Sequence, residues 1–271
     1  MNNVNDYEQF ISNIKKKTRI DLSLYKEAQM KRRLTSLYQK RHASSFMDFY
    51  RALCEKDELL QEFLDRFTLN VSEFYRNRSK WIELEEQILV PMLKKKHSLK
   101  IWCAACSTGE EPYTMAMILA QFLPLKNIRI LATDIDDTVL KKARKGVYGE
   151  RELQELPLHM KIKYFTYREG LYYLSEDIKN TVVFKKHDLL QDPFQNNYDL
   201  IVCRNVFIYF TDVAKHALYE KMSQSLKKGG VLFVGSTEQI FNTGSYGLTC
   251  SLPFFLSKRI EKKDRLQLEN H

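Results

Sequence analysis

The sequence has no run of about 18 consecutive apolar residues, which is the length that a membrane-spanning helix needs. Its N-terminus is polar and has no apolar signal core, so we expect no secretion and a cytoplasmic location. Only five cysteines occur in 271 residues, and several of them lie in predicted buried strands. Reduced thiols are the simpler interpretation of this odd number, and they fit a cytosolic compartment.

Two kinds of metal site lack the residues that they would need. Cys103 and Cys106 form a C-x-x-C pair, but a zinc ribbon requires a second pair, and the chain has none. A redox pair stays open as the alternative to small residues that line a tight turn. The six histidines form no cluster with the spacing of metal ligands, so we expect no metal cofactor.

Acidic side chains are scarce in the first part of the chain, and the formal net charge is +9. Between Ile14 and Cys54, eleven lysines and arginines accompany only three acids. Such a one-sided charge predicts a docking surface for an acidic partner, with an ordinary solvated surface as the alternative. Charge alone does not distinguish a nucleic acid, an anionic membrane surface and an acidic protein.

The chain is organised around the stretch from Ile101 to Tyr113, which predicts a buried strand, a tight turn of small residues and a helix. Ser107 or Thr108 is expected to cap this helix through its hydroxyl, and two glutamates suit the first helical turn. A strand, a glycine turn and a helix in this order begin the nucleotide-binding half of a doubly wound α/β sheet.

The dinucleotide fingerprint GxGxxG is missing, because this turn contains only one glycine, Gly109. The second glycine lets the backbone approach a pyrophosphate, which a ligand without phosphates does not require. Asp134 closes the next predicted strand, where an acid can bind ribose hydroxyls, although it could instead cap the following helix. An adenosyl ligand without pyrophosphate indicates S-adenosylmethionine; a nicotinamide or other nucleotide site and a purely structural turn are the alternatives.

Three segments follow from the pattern of elements. Residues 1–69 predict a small helical domain, residues 70–98 a linker and a helix, and residues 99–271 an α/β domain. From about 146 to 180 the strand–helix alternation is interrupted by a polar, aromatic insert whose two strands turn at Arg168-Glu169-Gly170. We interpret the insert as a partner-binding subdomain, with a simple extension of the sheet edge as the alternative.

Four stretches together resemble the bacterial chemotaxis receptor methyltransferases, the CheR family. These stretches are residues 69–76, 106–113, 132–136 and 203–210, and the resemblance extends over nearly the whole chain. It implies an α/β fold with a Rossmann-like S-adenosylmethionine methyltransferase sheet, a small N-terminal all-α domain and an inserted β-subdomain.

The resemblance implies a protein-glutamate O-methyltransferase that acts on the cytoplasmic helices of methyl-accepting chemotaxis receptors during chemotactic adaptation. The products would be glutamyl methyl ester and S-adenosylhomocysteine. Ser72 stands where the family usually has threonine, and Asp188 stands where asparagine is common. Arg76 and Tyr209 would lie nearest the transferred methyl group, as the catalytic residues. The cofactor contacts that the resemblance implies are Asn70, Ser72, Arg76, Glu111, Asp134, Asp188, Leu189, Arg204 and Asn205.

The same resemblance implies that the basic helical domain docks on the receptor. The docking candidates in this chain are Arg32, Arg33, Lys40 and Arg41. In some members of the family the inserted β-subdomain also tethers a C-terminal receptor peptide. We therefore expect a cytoplasmic monomer that is recruited to membrane receptor arrays, without nucleic acid and without membrane insertion.

The residue types suit carboxylate methylation. A glutamate has a reference pKa of about 4.3, so it is already ionised near pH 7 and needs no general base. An arginine can hold the carboxylate through its planar fork, although Arg76 could instead form a surface ion pair and Tyr209 could belong to the core. A methyltransferase for RNA or a small molecule and a non-catalytic regulator are the competing hypotheses. The first of these is disfavoured because Arg204-Asn205-Val206-Phe207 replaces the Pro-Pro-Tyr motif of base methylation.

Overall fold

The computed structural model describes residues 3–68 and 72–260. The chain divides into two compact units, of which one comprises Met1–Asn70 and Phe207–Ala217. The other unit comprises Val71–Val206 and Leu218–His271. Within the described residues, no helix combines the length and the apolar character needed to cross a bilayer. The domain boundaries expected from the sequence, at 69 and 98, stay predictions.

Between residues 3 and 68, the first unit forms four helices and one short 3-10 segment, Leu22–Leu24. Amphipathic patterns define the helices. The helical spacing of Met30, Leu34 and Leu37 predicts an apolar stripe, and all three residues are buried along one side of α2. Tyr38, at the edge of that stripe, is half-buried. The helices are α1 (Asn3–Thr18), α2 (Glu27–Lys40), α3 (Phe46–Glu55) and α4 (Asp57–Phe67).

Aromatic side chains form the core of the helical unit. The ring of Phe10 lies 6.2 Å from that of Phe49 and 6.1 Å from that of Phe63, measured between centroids. All three side chains are fully buried, and burial of each contributes about 1.5–3 kcal/mol of hydrophobic free energy. Residues from α1, α3 and α4 therefore share one core.

The chain returns to the helical unit at Phe207–Ala217. The backbone N–H of Lys26 donates to the carbonyl of Tyr209 at 2.8 Å, and the N–H of Thr211 donates to the carbonyl of Leu24 at 2.9 Å. Tyr25 packs edge-on against Phe210, with 5.1 Å between the ring centroids. No periodicity in the sequence indicated this return, because it depends on pairing between residues almost 200 positions apart.

The second unit contains the remaining elements. Before the first strand, α5 (Arg78–Leu84) continues through a π-helical segment, Glu85–Leu89, into α6 (Val90–Leu93). The strands are β1 (Ile101–Ala104), β2 (Ile130–Asp134), β3 (Val147–Tyr148), β4 (Phe165–Arg168), β5 (Leu171–Leu174), β6 (Val182–Lys186), β7 (Tyr198–Cys203), β8 (Leu226–Val234), β9 (Leu248–Leu252) and β10 (Phe255–Lys258). The helices among them are α7 (Glu110–Leu119), α8 (Asp137–Lys145), α9 (Leu158–Tyr164), α10 (Glu176–Lys179) and α11 (Asp212–Ser225), the last of which begins in the first unit.

Seven strands form one mixed sheet in the order β6-β2-β1-β7-β8-β10-β9. The five strands from β6 to β8 run parallel, whereas β10 is antiparallel to both of its neighbours. Every residue of β1 and β7 is buried, as expected for strands that are covered on both faces. The predicted Rossmann-like methyltransferase sheet is confirmed, and its parallel strands carry their carboxyl ends to one edge.

The insert forms a separate three-stranded antiparallel sheet in the order β3-β5-β4, which confirms the predicted β-subdomain. Glu169 and Gly170 both have positive φ at the hairpin turn, as a type I′ turn requires. Helix α9 comes directly before β4 and buries Met160 and Tyr164.

Candidate functional site

The predicted cofactor contacts of the second unit come together at the carboxyl edge of the parallel strands. Asp134 ends β2, Asp188 and Leu189 follow β6, and Arg204 and Asn205 follow β7 directly. Glu111 stands in the first turn of the helix after β1. Because these four strands are direct neighbours, the sheet brings together residues that are up to 94 positions apart in the sequence. Ligands of open α/β sheets bind at this edge.

The turn after β1 has a left-handed backbone at three positions: Ala105 (φ 56°), Ser107 (φ 48°) and Gly109 (φ 95°). A Cβ atom at Gly109 would lie 3.0 Å from the Cβ of Ala143 and 3.1 Å from Cε2 of Tyr113, so a side chain there would require its neighbours to move by a few tenths of an ångström. The turn is therefore pressed tightly against α7 and α8.

The hydroxyl cap expected for α7 was wrong. Gly109 occupies the cap position, and no side chain caps the helix. The Thr108 hydroxyl donates to the carboxylate of Glu110 instead, at 2.6 and 2.8 Å. Burial raises the pKa of Glu110, while hydrogen bonds from Thr108 and Ser72 oppose that rise.

Asp134 holds the turn after β1 from the neighbouring strand. Its Oδ2 accepts the N–H of Ser107 at 2.8 Å, and its Oδ1 accepts the N–H of Asp136 at 3.0 Å. Burial raises the pKa of Asp134 to about 6 in spite of these bonds. Asp136, not Asp134, caps α8, because its Oδ1 accepts the N–H of Thr138 at 2.7 Å.

Asp188 and Leu189 lie in a closed turn after β6. The Oδ1 of Asp188 accepts the N–H of Leu190 at 2.8 Å, and burial raises the pKa of this carboxyl. Lys221 of α11 donates from Nζ to the carbonyl of Leu189 at 3.0 Å and to that of Asp192 at 3.2 Å. A lysine of helix α11 thus fixes the backbone of this turn.

Arg204 is a buried cation that connects two other predicted contacts. Its Nη1 lies 3.3 Å from Oε2 of Glu111, and its Nη2 donates to the carbonyl of Arg76 at 3.0 Å. The guanidinium stacks on the ring of Phe233, 4.7 Å from the centroid. Burial raises the pKa of Glu111 to about 7, although the charge of Arg204 opposes this rise.

Arg76 lies in the segment before α5, and its side chain is half-buried. The preceding residue, Tyr75, has a positive φ of 56° and donates its N–H to the Thr114 hydroxyl at 3.2 Å. Ser72 is half-buried in the same segment. Asn70, the remaining predicted contact, lies outside the described residues.

Tyr209 belongs to the helical unit, where its half-buried ring lies under the guanidinium of Arg33 at 4.8 Å from the centroid. Arg41 forms an ion pair with Glu62 in the same unit. Arg32 and Lys40 are exposed on α2. Two of the four predicted docking residues therefore have partners within their own unit.

The C-x-x-C pair does not have the surroundings of a redox site. Cys103 and Cys106 are free thiols without solvent access. Burial raises the pKa of both thiols well above its ordinary value, so the reactive thiolate is disfavoured. The burial of Cys103 and Cys106 fits the alternative interpretation, in which both are small residues that line a tight turn.

Sequence reasoning missed a buried acid next to Asn205. Oε2 of Glu238 accepts the N–H of Asn205 at 2.7 Å and the N–H of Gly235 at 2.8 Å. The available signal was a glycine directly after a predicted strand, followed three residues later by glutamate, but nothing in the pattern joined it to Asn205.

The charges of this edge suit S-adenosylmethionine. Glu111 and Asp134 are buried acids with raised pKa values, which means that their surroundings supply too little positive charge to favour the ionised form. Nε of Arg204 is buried and has no hydrogen-bond partner within residues 3–68 and 72–260. A ligand with a sulfonium, an ammonium and ribose hydroxyls offers partners for the two acids.

Comparisons with known proteins agree with this fit. Residues 5–68 match the family model described as CheR methyltransferase, all-alpha domain, and residues 70–251 match CheR methyltransferase, SAM binding domain. A chemotaxis protein methyltransferase of Listeria monocytogenes is 42% identical over 254 residues, which cover 93% of this chain and 97% of the relative. One of Borreliella burgdorferi is 34% identical over 235 residues, which cover 82% of this chain and 83% of the relative. The resemblance seen in the four motifs is thereby confirmed, and the chain belongs to the CheR methyltransferase family, with an all-α domain and an S-adenosylmethionine-binding methyltransferase domain.

Proposed function

We propose that this methyltransferase esterifies glutamate side chains on the cytoplasmic helices of chemoreceptors and releases S-adenosylhomocysteine. The names of its relatives support the setting in chemotaxis. The observation that carries the proposal is the fixed position of Arg76, whose carbonyl is held by Arg204 beside Glu111. This anchors the backbone of an arginine at the edge of the sheet where the methyl donor binds.

Positioning is the chemistry that the protein has to supply. S-adenosylmethionine provides an electrophilic methyl group on a sulfonium when it is bound. The acceptor glutamate has a reference pKa of about 4.3, so it arrives as a carboxylate and no base has to remove a proton. The Arg76 guanidinium would hold this carboxylate by a planar fork, and the Tyr209 hydroxyl would orient one oxygen. In-line alignment of this kind can be worth about 7–11 kcal/mol.

Three buried charged residues would hold the donor. The Glu111 carboxylate would neutralise the cationic end of S-adenosylmethionine, and Arg204 would in turn keep Glu111 in place. The Asp134 carboxylate accepts backbone N–H groups, including those of Ser107 and Asp136, and has lone-pair sites left for ribose hydroxyls. The remaining proposed contacts are Asn70, Ser72, Arg76, Asp188, Leu189 and Asn205.

Recruitment to receptors belongs to the same proposal. Arg32, Arg33, Lys40 and Arg41 would form the docking surface for the acidic methylation region of the receptor. The inserted β-subdomain would serve as a second attachment point for a C-terminal receptor peptide. The protein would act as a monomer at membrane receptor arrays and would contact the receptor at both of these places.

Transfer of labelled methyl groups tests the reaction. The purified protein is incubated with methyl-tritiated S-adenosylmethionine and membranes that contain bacterial chemoreceptors, and the labelled receptor band is then treated with base. We expect volatile methanol, because base hydrolyses methyl esters but leaves N-methyl groups intact. Arg76→Ala should lower the rate about 100-fold through loss of alignment. Arg78→Ala, which removes an exposed arginine two positions away, is the matched control and should keep the wild-type rate.

Two outcomes would contradict the proposal. Base-stable label would indicate methylation of nitrogen. Wild-type protein that binds S-adenosylhomocysteine but labels no receptor would require another acceptor, and label in RNA would favour the competing hypothesis of an RNA methyltransferase.

A further inference from the structure

We propose that Glu238 is a positioning residue of the cofactor site: its carboxylate fixes the loop after β7 to the turn after β8, and its negative charge acts on Arg204. The inference rests on the proposed roles of Arg204 and Asn205 as cofactor contacts. No motif in the sequence pointed to Glu238, and its position in the structure carries the argument.

One oxygen of Glu238 holds two separate pieces of backbone. Oε2 accepts the N–H of Asn205 at 2.7 Å and the N–H of Gly235 at 2.8 Å. The N–H of Glu238 donates to the carbonyl of Gly235 at 3.0 Å, which closes the turn. Only 4% of the residue is exposed, so water competes little for these bonds.

The packing around Gly235 shows how closely these groups fit. A Cβ atom at Gly235 would lie 2.6 Å from Oε2 of Glu238, 2.9 Å from the backbone nitrogen of Asn205 and 3.0 Å from its Nδ2. Asn205 has a left-handed backbone with φ of 60°, which a residue other than glycine seldom adopts. The hydrogen bond from Glu238 therefore stabilises an uncommon conformation at a proposed contact residue.

The turn after β8 also reaches the segment that carries Arg76. Nδ2 of Asn77 donates to the Ser236 hydroxyl at 3.2 Å. One turn of four residues thus contacts both loops whose residues are proposed to face the methyl donor. Loss of the Glu238 carboxylate would release the Asn205 loop and loosen the support of the Arg76 segment.

The charge of Glu238 acts on Arg204 and Glu111, two of the proposed cofactor contacts. Glu238 and Glu111 both interact with Arg204, and the negative charge of Glu238 raises the pKa of Glu111. The other groups that face Glu111 are the guanidinium groups of Arg204 and Arg76 and the thiols of Cys103, Cys106 and Cys203. Removal of the Glu238 charge should therefore lower the pKa of Glu111.

Two substitutions separate the hydrogen bonds from the charge. Glu238→Gln keeps one oxygen that can accept both N–H groups but removes the charge, whereas Glu238→Ala removes both. Glu220→Ala, at an exposed glutamate on α11, is the matched control. For each protein we would measure the Kd for S-adenosylhomocysteine by calorimetry between pH 5.5 and 8.5, the melting temperature, and the kcat and KM of methyl transfer.

We expect Glu238→Ala to raise the Kd about tenfold or more, because two bonds to a buried charged group are lost. Glu238→Gln should recover most of this affinity, and its binding should extend to lower pH than that of the wild type. Glu220→Ala should match the wild type in all readouts.

The proposal is overturned if a folded Glu238→Ala protein binds within about twofold of the wild type, since two lost bonds predict more. If Glu238→Ala does not fold, Glu238→Gln decides, because an unchanged pH midpoint of binding overturns the role in tuning Glu111. These binding readouts need no methyl acceptor. A wild-type protein that binds S-adenosylhomocysteine without methylating receptors would therefore refute the proposed function and leave this inference standing.

Discussion

At the residue scale, Glu111 is a buried acid whose charge depends on its neighbours. Arg204 lies 3.3 Å away and favours the carboxylate, yet burial outweighs this attraction and raises the pKa to about 7. Arg204 divides its guanidinium between this carboxylate and the carbonyl of Arg76, so it neutralises Glu111 only in part. A cationic ligand beside Glu111 would supply the missing charge.

This electrostatic balance predicts a pH dependence of cofactor binding. Burial raises the pKa of Glu111 to about 7, so this carboxyl changes its charge near neutral pH in the free protein. Since a cation binds the ionised form, binding should release protons near pH 7 and weaken as the pH falls below that value. The pKa of Asp134, about 6, adds a second loss at lower pH. Calorimetry with S-adenosylhomocysteine in buffers of different ionisation enthalpy measures both effects.

Glu111→Gln is the control for this assignment. It should bind the ligand more weakly and lose the step near pH 7, while the step that belongs to Asp134 remains. An equal pH dependence in the wild type and in Glu111→Gln would assign the titration to another group.

At the scale of elements, the turn between β1 and α7 depends on one glycine. Gly109 has φ of 95° and neighbours within 3.0–3.2 Å of a Cβ atom built there, whereas Gly170 in the β4–β5 hairpin has φ of 80° and no atom within 4 Å of such a Cβ. The two positions therefore share the backbone requirement and differ in packing. Their comparison isolates the steric contribution.

We expect Gly109→Ala to lower the free energy of unfolding by about 2–4 kcal/mol, since it combines unfavourable φ with overpacking. Gly170→Ala should lower it by only about 1 kcal/mol, because φ alone is affected. Urea unfolding measures both values. Gly109→Ala should also weaken cofactor binding, because Ser107 in the same turn donates to Asp134. Equal losses of stability in the two variants would contradict the close packing at Gly109.

The bounds of some helices and strands could be predicted from the sequence, whereas those of others could not. The apolar residues from Leu200 to Cys203 predict a strand over Tyr198–Cys203, and β7 has these bounds although Asp199 interrupts its apolar character. The regular apolar stripe of residues 57–67 predicts a helix, and α4 has these bounds. Strand β3 has only two residues, too few for any periodicity, and it exists because Val147 and Tyr148 pair with β5. The burial of Cys103 could be interpreted from its strand, and that of Cys106 from the tight turn of small residues that follows.

At the scale of the whole molecule, positive charge is the property that a partner would meet first. Arg32 and Lys40 project from α2 into solvent, whereas Arg33 stacks on Tyr209 and Arg41 pairs with Glu62. The two exposed residues are therefore the ones most available to an acidic receptor surface. The two engaged residues would have to keep or exchange their present partners.

We expect the double charge reversal Arg32→Glu with Lys40→Glu to raise the KM for receptor about tenfold at low ionic strength, and by less at high salt, where the charges are screened. The Kd for S-adenosylhomocysteine should not change. Lys126→Glu with Arg129→Glu, two exposed cations of the second unit, is the charge-matched control. Methylation assays at two salt concentrations make the comparison. Equal effects of the two pairs would indicate nonspecific attraction and not a docking surface on α2.

The sequence by itself determined the features that local chemistry encodes. Helical periodicity placed Met30, Leu34 and Leu37 on one face, and short apolar runs marked the buried strands. The residues that follow those strands could be recognised as a site because carboxyl ends of parallel strands share an edge. Family membership followed from the same motifs.

Tertiary structure decided the partners across long sequence separations. Arg204 reaches the carbonyl of Arg76, 128 residues away, and Asn205 donates its N–H to Glu238. The segment from Phe207 to Ala217 joins the helical unit through backbone bonds to Leu24 and Lys26. Such hydrogen bonds leave no trace in local periodicity, because they depend on which backbone groups the packed elements bring within 3 Å of one another.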